Sequence, residues 1–327
     1  MGGSLPFERF MREALFHPEF GYYTAHIRDV GARGDFSTFA TLGKSLAQFL
    51  ARWVVENTAS DVIEVGPGNG QLAAQILGEL GWWRRRSVRY HLVDVNGPLC
   101  AAQDQRLRSF HIQRHPDLAS ALRSTGGRAW IFSNELPDAF PCRVFELTPE
   151  GWLELHLHLG ADGFREVLCP TALPESTAFR GDFRLGQRVE IHESYHHWLR
   201  GWASQWSSGA MLTIDYGDPM PTLYHRRTAG TLRAYAHHQR LTGHEIYQAP
   251  GRLDLTADVN FSDLEKWGEE LGWETGKHTT LNEFLPATSD PKFLEAARAF
   301  RVLEQRPSSL QPSATAFGLL PTGKISG

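Results

Sequence analysis

Apolar and polar positions along the chain change their period several times, and each change marks an element. From Pro6 to Leu15 the apolar residues recur at helical spacing and stop before His17-Pro18, where proline discourages another turn. A loop rich in glycine and aromatic residues follows, with Gly21-Tyr22-Tyr23 and the run from Gly31 to Thr38, and Leu42 to Val55 then reads as an amphipathic helix. Beyond Asp61 short apolar runs alternate with helical patterns. Strands are predicted over 61–65, 89–94 and 129–133, with a short one near Phe110, and helices over 70–80, 97–108 and around Leu118. This alternation predicts parallel strands joined by right-handed crossovers.

The period changes again after Cys142. Period-two stretches up to Cys169, broken by Pro149-Glu150-Gly151 and by Gly160 to Gly163, predict antiparallel hairpins set into the α/β framework. Helical sequence from His192 to Trp206 is followed by Met211 to Asp215, which returns to the sheet. Tyr216 to Asn260 has no clear period and reads as a long loop, a length that points to function or to folding onto a site. The remainder predicts a helix over 262–271, a strand over 277–281, a helix over 291–305 and a last strand over 314–320. The expected division is an N-terminal helical extension or lid over 1–58, a main α/β unit over 59–141 and 207–327, and an inserted hairpin and helical unit over 142–206 on the substrate side. The main unit is expected to be a mostly parallel sheet with helices on both faces.

Candidate chemistry concentrates between Asp61 and Gly70. An apolar strand runs there into Gly66, Gly68 and Gly70, with Glu64 two positions before the first. Glycine tolerates positive φ and puts no Cβ between backbone and ligand, so this is a strand-to-helix turn suited to a nucleoside. Asp94, at the end of the next apolar run, is placed to accept hydrogen bonds from both ribose hydroxyls. A dinucleotide fingerprint needs a small residue where Gln71 stands, so the NAD pattern fails. The arrangement E-x-G-x-G-x-G is instead the first motif of S-adenosylmethionine methyltransferases, and a carboxylate at Glu64 suits an ammonium while repelling a pyrophosphate. Glu64, Gly66, Pro67, Gly68, Gly70, Asp94 and Asn134 are therefore the expected cofactor contacts.

Composition narrows the partners. A formal charge of −4 and a pI near 6.4 argue against general nucleic-acid binding, and the local cluster Trp82 to Arg86 reads as solvent-facing cations after a helix. No apolar run approaches bilayer length, and Met1 to Pro6 lacks a leader pattern, so no membrane partner is expected. Cys100, Cys142 and Cys169 stand far apart, as suits a reducing compartment, and a cytoplasmic location is the expectation. A homodimer is compatible with everything read here. Glu154, His156 and His158 alternate on one strand face without a further ligand at zinc-like spacing, so the face reads as solvated and no metal is expected.

Several segments, taken in order, resemble the MidA family of S-adenosylmethionine-dependent methyltransferases. They are Phe10-Met11 through Pro18 to Tyr23, Gly34-Asp35-Phe36, Glu64 to Gly70, Asn134 to Ala139, Ile214 to Gly217, Gly230 to Arg233, and Asp254 to Phe261, and they span nearly the entire chain. The resemblance implies a class I Rossmann-like methyltransferase fold, with S-adenosyl-L-methionine as cofactor and S-adenosyl-L-homocysteine as product. Since the family includes a protein arginine methyltransferase, it also implies a protein or peptide substrate carrying arginine. The chain departs from the family after Phe36, where Ser37 to Lys44 replaces an acid-bearing run, and at Asp94-Val95-Asn96, where the family has Glu followed by serine.

Read onto these positions, Asn134 and Glu135 would face the methyl group and orient the acceptor nitrogen. Glu135 or Asp138 would match a guanidinium in a bidentate fashion, and a carboxylate there would draw off its proton. Asp35, between Gly34 and Phe36, would close over the cofactor as part of a lid. Asn134 and Glu135 are equally placed to cap a helix, and Asp35 to shape an Asx-turn. Asp215 and Tyr216 would line the acceptor pocket, whereas Arg233, Asp254 and Asp258 would pair with one another. Two other readings stay open: an inert S-adenosylmethionine-binding assembly factor, and a methyltransferase acting on a small molecule.

Overall fold

The computed structural model describes residues 3–27, 44–94, 97–236, 239–285 and 291–308. Its main sheet contains eight strands among the described residues. Seven form the continuous path and are labelled in chain order β1 (Asp61–Val65), β2 (Arg89–Val93), β3 (Ile112–His115), β4 (Trp130–Asn134), β5 (Met211–Asp218), β6 (Trp273–Thr280) and β7 (Phe300–Pro307), and the short strand Val259–Asn260 pairs in parallel with the end of β5. The spatial order of the seven is β6-β7-β5-β4-β1-β2-β3. From β3 to β5 all pairings are parallel, and β7 is antiparallel to both β5 and β6. The strand order reverses at β1, which lies between β2 and β4, and α/β sheets bind ligands outside the carboxyl ends of strands at such a reversal.

The apolar runs of β1 and β4 follow from burial on both faces. Val62 and Phe132 point into a core with Leu46, Leu50 and Val54 of the helix Ser45–Glu56 and Ile76 of the helix Gln71–Glu79. Ile63 and Ile131 point the other way, against Leu118, Leu122, Leu199, Trp202 and Trp267. Two smaller antiparallel sheets stand beside this layer. One has five strands, with Arg143–Thr148, Gly151–Gly160, Gly163–Cys169 and Arg188–Ile191 joined by Leu5–Pro6, and the other has three. The helix Phe7–Phe16 packs Phe7, Phe10, Met11 and Leu15 between them.

Three expectations change. The long loop from Tyr216 to Asn260 contains the three-stranded sheet, formed by Arg233–Ala236, Gln239–Leu241 and Asp254–Thr256, whose strands are too short and too polar to register as a period. The helix expected over 291–305 stops at Arg298, and the chain from Phe300 becomes β7. Phe300, Val302 and Leu303 are buried in the sheet, so tertiary pairing overrides a spacing that also fits a helix. The strand expected near Phe110 is β3, two positions on, and the strand over 314–320 lies outside the described residues.

Candidate active site

The ends of β1, β2 and β4 open on one cavity of about 890 Å³. After β1 the chain turns through Gly66, Gly68 and Gly70 at φ of 70°, 54° and 77°, left-handed values that a residue with a Cβ adopts only under strain. Gly66 N donates to Val93 O at 3.0 Å and Gly70 N to Pro67 O at 2.9 Å, so the turn is tied to β2 and closed on itself before the helix Gln71–Glu79 begins. Gly66, Gly68 and Asp94 line the cavity, and Asp94 Oδ2 accepts from Gln103 Nε2 at 2.7 Å. The same nitrogen is 2.7 Å from the carbonyl of Gly68.

Pro116, Asp117 and Leu118 complete this half of the cavity. Asp117 caps the helix Leu118–Ser124 by accepting from Ser120 N at 2.6 Å, a bond that holds its carboxyl below the usual range. Glu64, Pro67 and Gly70 do not line the cavity. Glu64 is buried within β1 and accepts from the Tyr90 hydroxyl at 2.8 Å. Burial pushes its pKa up to about 7 despite that bond.

Across the cavity the geometry is made by side chains. Glu135 follows β4 with φ of 53°, and its amide donates to Ile214 O at 2.9 Å. Asn134 Nδ2 donates to Glu135 Oε1 at 3.1 Å, whereas Asn134 Oδ1 is buried with no hydrogen-bond partner. Asp138, on the single turn Pro137–Ala139, accepts from Thr256 Oγ1 at 2.7 Å and donates its amide to Asp215 Oδ2 at 3.2 Å. Burial raises the pKa of Asp138, and burial followed by the charge of Asp138 raises that of Asp215 well above the usual carboxylate range. Asp215 is fully buried and does not line the cavity, contrary to expectation; its carboxylate bonds the amides of Asp138 and Tyr216 instead.

Of the acid and arginine residues expected to pair in the long loop, Arg233 and Asp258 do so, with Arg227 on the second oxygen of Asp258. Asp254 instead accepts from the Tyr23 hydroxyl at 2.6 Å, which brings the N-terminal segment to the cavity wall. The Arg233 guanidinium lies 5.6 Å and 5.8 Å from the ring centroids of Tyr216 and Tyr235, and both rings line the cavity with Phe140 and Trp198. Asp35 lies outside the described residues. Sequence reasoning missed Asp117, Gln103 and Tyr235 here; for Asp117 a usable signal was its Asp-x-x-Ser spacing ahead of an apolar helix. Among the described residues no three His, Cys, Asp or Glu side chains are grouped to hold a metal ion.

Residues 41–279 match the model of a family described as S-adenosyl-L-methionine-dependent methyltransferases. The mitochondrial protein arginine methyltransferase NDUFAF7 of Rattus norvegicus is 28% identical over 302 residues, covering 82% of this chain and 67% of that protein. Its Homo sapiens counterpart is 25% identical over 373 residues, covering 99% and 82%. The crystal structure of a COG1565 superfamily member from Burkholderia thailandensis bound to S-adenosyl-homocysteine is also similar. Its TM-score is 0.79 at 27% identity, with 93% of this chain and 88% of that chain covered. These relatives correct the expected cytoplasmic location, since those from rat, human and Drosophila melanogaster are named as mitochondrial proteins. Unpaired cysteines separate reducing from oxidising surroundings and carry no information about which reducing compartment holds a protein.

Proposed function

This chain belongs to the MidA family of S-adenosyl-L-methionine-dependent methyltransferases, and on that premise we propose that its methyl acceptor is the guanidinium of an arginine in a protein or peptide. The observation that carries the proposal is the acceptor half of the cavity, where Glu135, Asp138 and Asp254 stand among the rings of Tyr216, Tyr235, Phe140 and Trp198. Carboxylates match a guanidinium in pairs, and aromatic faces attract a planar cation. The chain's similarity to protein arginine methyltransferases supports the same acceptor.

The donor half fits S-adenosylmethionine. Its left-handed glycines leave room for a ligand against the backbone, Asp94 offers a ribose acceptor, and the buried, unpartnered Asn134 Oδ1 calls for a donor from a bound molecule. Gly66, Pro67, Gly68 and Gly70 would shape the turn around the methionyl part, Asp94 would hold the ribose, and Glu64 would set the charge behind the turn. When bound, the cofactor supplies a methyl on a sulfonium, a leaving group that requires no protein nucleophile. The chain has then to place the acceptor nitrogen, keep water out and accept one proton. Glu135 takes the proton in this proposal. Its left-handed backbone is held by the Ile214 carbonyl, a strained conformation that surrounding structure must maintain. Asp138 would hold the far edge of the guanidinium, with the raised pKa of the buried Asp215 limiting negative charge beneath it.

Labelled S-adenosylmethionine, supplied with arginine-containing peptides and their lysine counterparts, tests the acceptor. Label is expected in arginine. Its appearance only in the small-molecule fraction, or in lysine, would overturn the proposal.

A further inference from the structure

Gln103 takes no part in lining the cavity, yet it joins the two elements that make the donor half. It is fully buried in the helix Gly97–Leu107, and its Nε2 donates to Asp94 Oδ2 at 2.7 Å and to the Gly68 carbonyl at 2.7 Å. Its Oε1 accepts from Arg114, whose other terminal nitrogen is held by Asp104 at 2.7 Å. Both donors of the amide and its acceptor are used, and only one orientation is allowed. Flipped, the amide would set its oxygen against a carboxylate and a carbonyl, and its nitrogen against a guanidinium. The turn also approaches this helix closely, since a Cβ on Gly70 would meet Leu107 Cδ1 at 3.2 Å and Gln103 Cα and Cγ at 3.4 Å.

We propose that Gln103 is a positioning residue for the cofactor: by fixing Asp94 Oδ2 against the glycine turn it orients the carboxylate for the ribose diol. The proposal rests on the reading that Asp94 holds the ribose. A carboxylate pinned at one oxygen has its plane set before the ligand arrives, so the ordering cost of binding is already met. Packing alone does not demand this residue, because a methionine of similar length would fill the same space.

The test measures affinity for S-adenosylhomocysteine and for its 2′,3′-dideoxy analogue in the wild type, Gln103→Met and Gln103→Glu, after thermal melts confirm that each variant folds. The wild type should favour the natural ligand by about tenfold or more. Gln103→Met should remove most of that preference, weakening S-adenosylhomocysteine by about tenfold while leaving the analogue within about twofold. Gln103→Glu places a second carboxylate against Asp94. Its deficit relative to wild type should be largest at pH 8 and shrink toward pH 5.5, where a shared proton restores the missing donor. Equal weakening of both ligands by Gln103→Met, or a Gln103→Glu deficit independent of pH, would overturn the inference and leave Asp94 on the ribose. A wild type that does not distinguish the two ligands would instead remove the ribose reading, and the inference with it. Should Gln103→Met fail to fold, the pH profile of Gln103→Glu decides.

Discussion

The two halves of the cavity are built in different ways. Apart from Asn134 at the end of β4, the donor half comes from one stretch of chain, Val65 to Leu118, and much of it is backbone: a glycine turn, two strand ends and a helix cap. The acceptor half is assembled from side chains of distant segments. Tyr23 meets Asp254 across 231 positions, and Asp138 meets Thr256 across 118. A site made locally from backbone is fixed once its strands pair, whereas one made from side chains depends on every long-range contact that brings them together. The donor half should therefore keep its ligand when the acceptor half is damaged.

Four measurements would break or sharpen that contrast. The largest effect is expected for Glu135→Gln, which should lower turnover by about 10²–10⁴-fold while leaving S-adenosylhomocysteine affinity within about threefold of wild type. Loss of binding in that variant would show that the halves are not separable. Next, Arg233→Met leaves the buried Asp258 with only the more exposed Arg227, and should cost about 3 kcal/mol in urea denaturation. A change below about 0.5 kcal/mol would mean that the pair does not hold the acceptor wall.

Gly68→Val tests the other half. Its φ of 54° strains any branched side chain, and affinity for S-adenosylhomocysteine should fall about a hundredfold while the fold loses roughly 1–3 kcal/mol. Normal binding would displace the turn from the ligand. The smallest effect concerns Glu64, whose folded pKa of about 7 lies above its unsituated value of 4.5 because of burial. The folded state holds that proton longer than the unfolded chain, so this contribution to stability is complete below about pH 4.5 and is lost as pH rises through about 7. Glu64→Gln mimics the protonated form. It should remove that decline, ending more stable than wild type at pH 8; parallel stability curves for the two proteins would argue against it.

The same contrast explains what could be read from the sequence. The alternation of short apolar runs with helical spacing from Asp61 to Ser133 is a local signal, and it led to the parallel strands and to the turn between β1 and its helix. Asp94 was legible for the same reason, as the acid ending an apolar run. Asp215 was not, because an acid closing a strand looks alike whether it faces the cavity or lies beneath it. Arg233–Ala236 and Asp254–Thr256 were hidden because a strand of three or four residues with charged members has no period, and its pairing is decided by chain far away. Tyr23 stands in a resembling motif, but the sequence suggests Arg233 and Asp258, not Tyr23, as the partners of Asp254. Burial and hydrogen bonding across 231 positions leave no trace in local spacing.

The position of β7 bears on how the molecule is made. This strand runs antiparallel between β5 and β6, yet it is the last of the seven in the chain. During synthesis β5 is complete by residue 218, but the edge it offers to β7 stays unpaired until residue 307 has been added. For that interval a strand of five successive buried residues, Met211 to Asp215, has one side of its backbone without a partner, an invitation to pair with another chain. Closure of the sheet thus waits for the last of these strands, and a nascent chain stalled before residue 300 would hold a finished glycine turn inside an unfinished sheet.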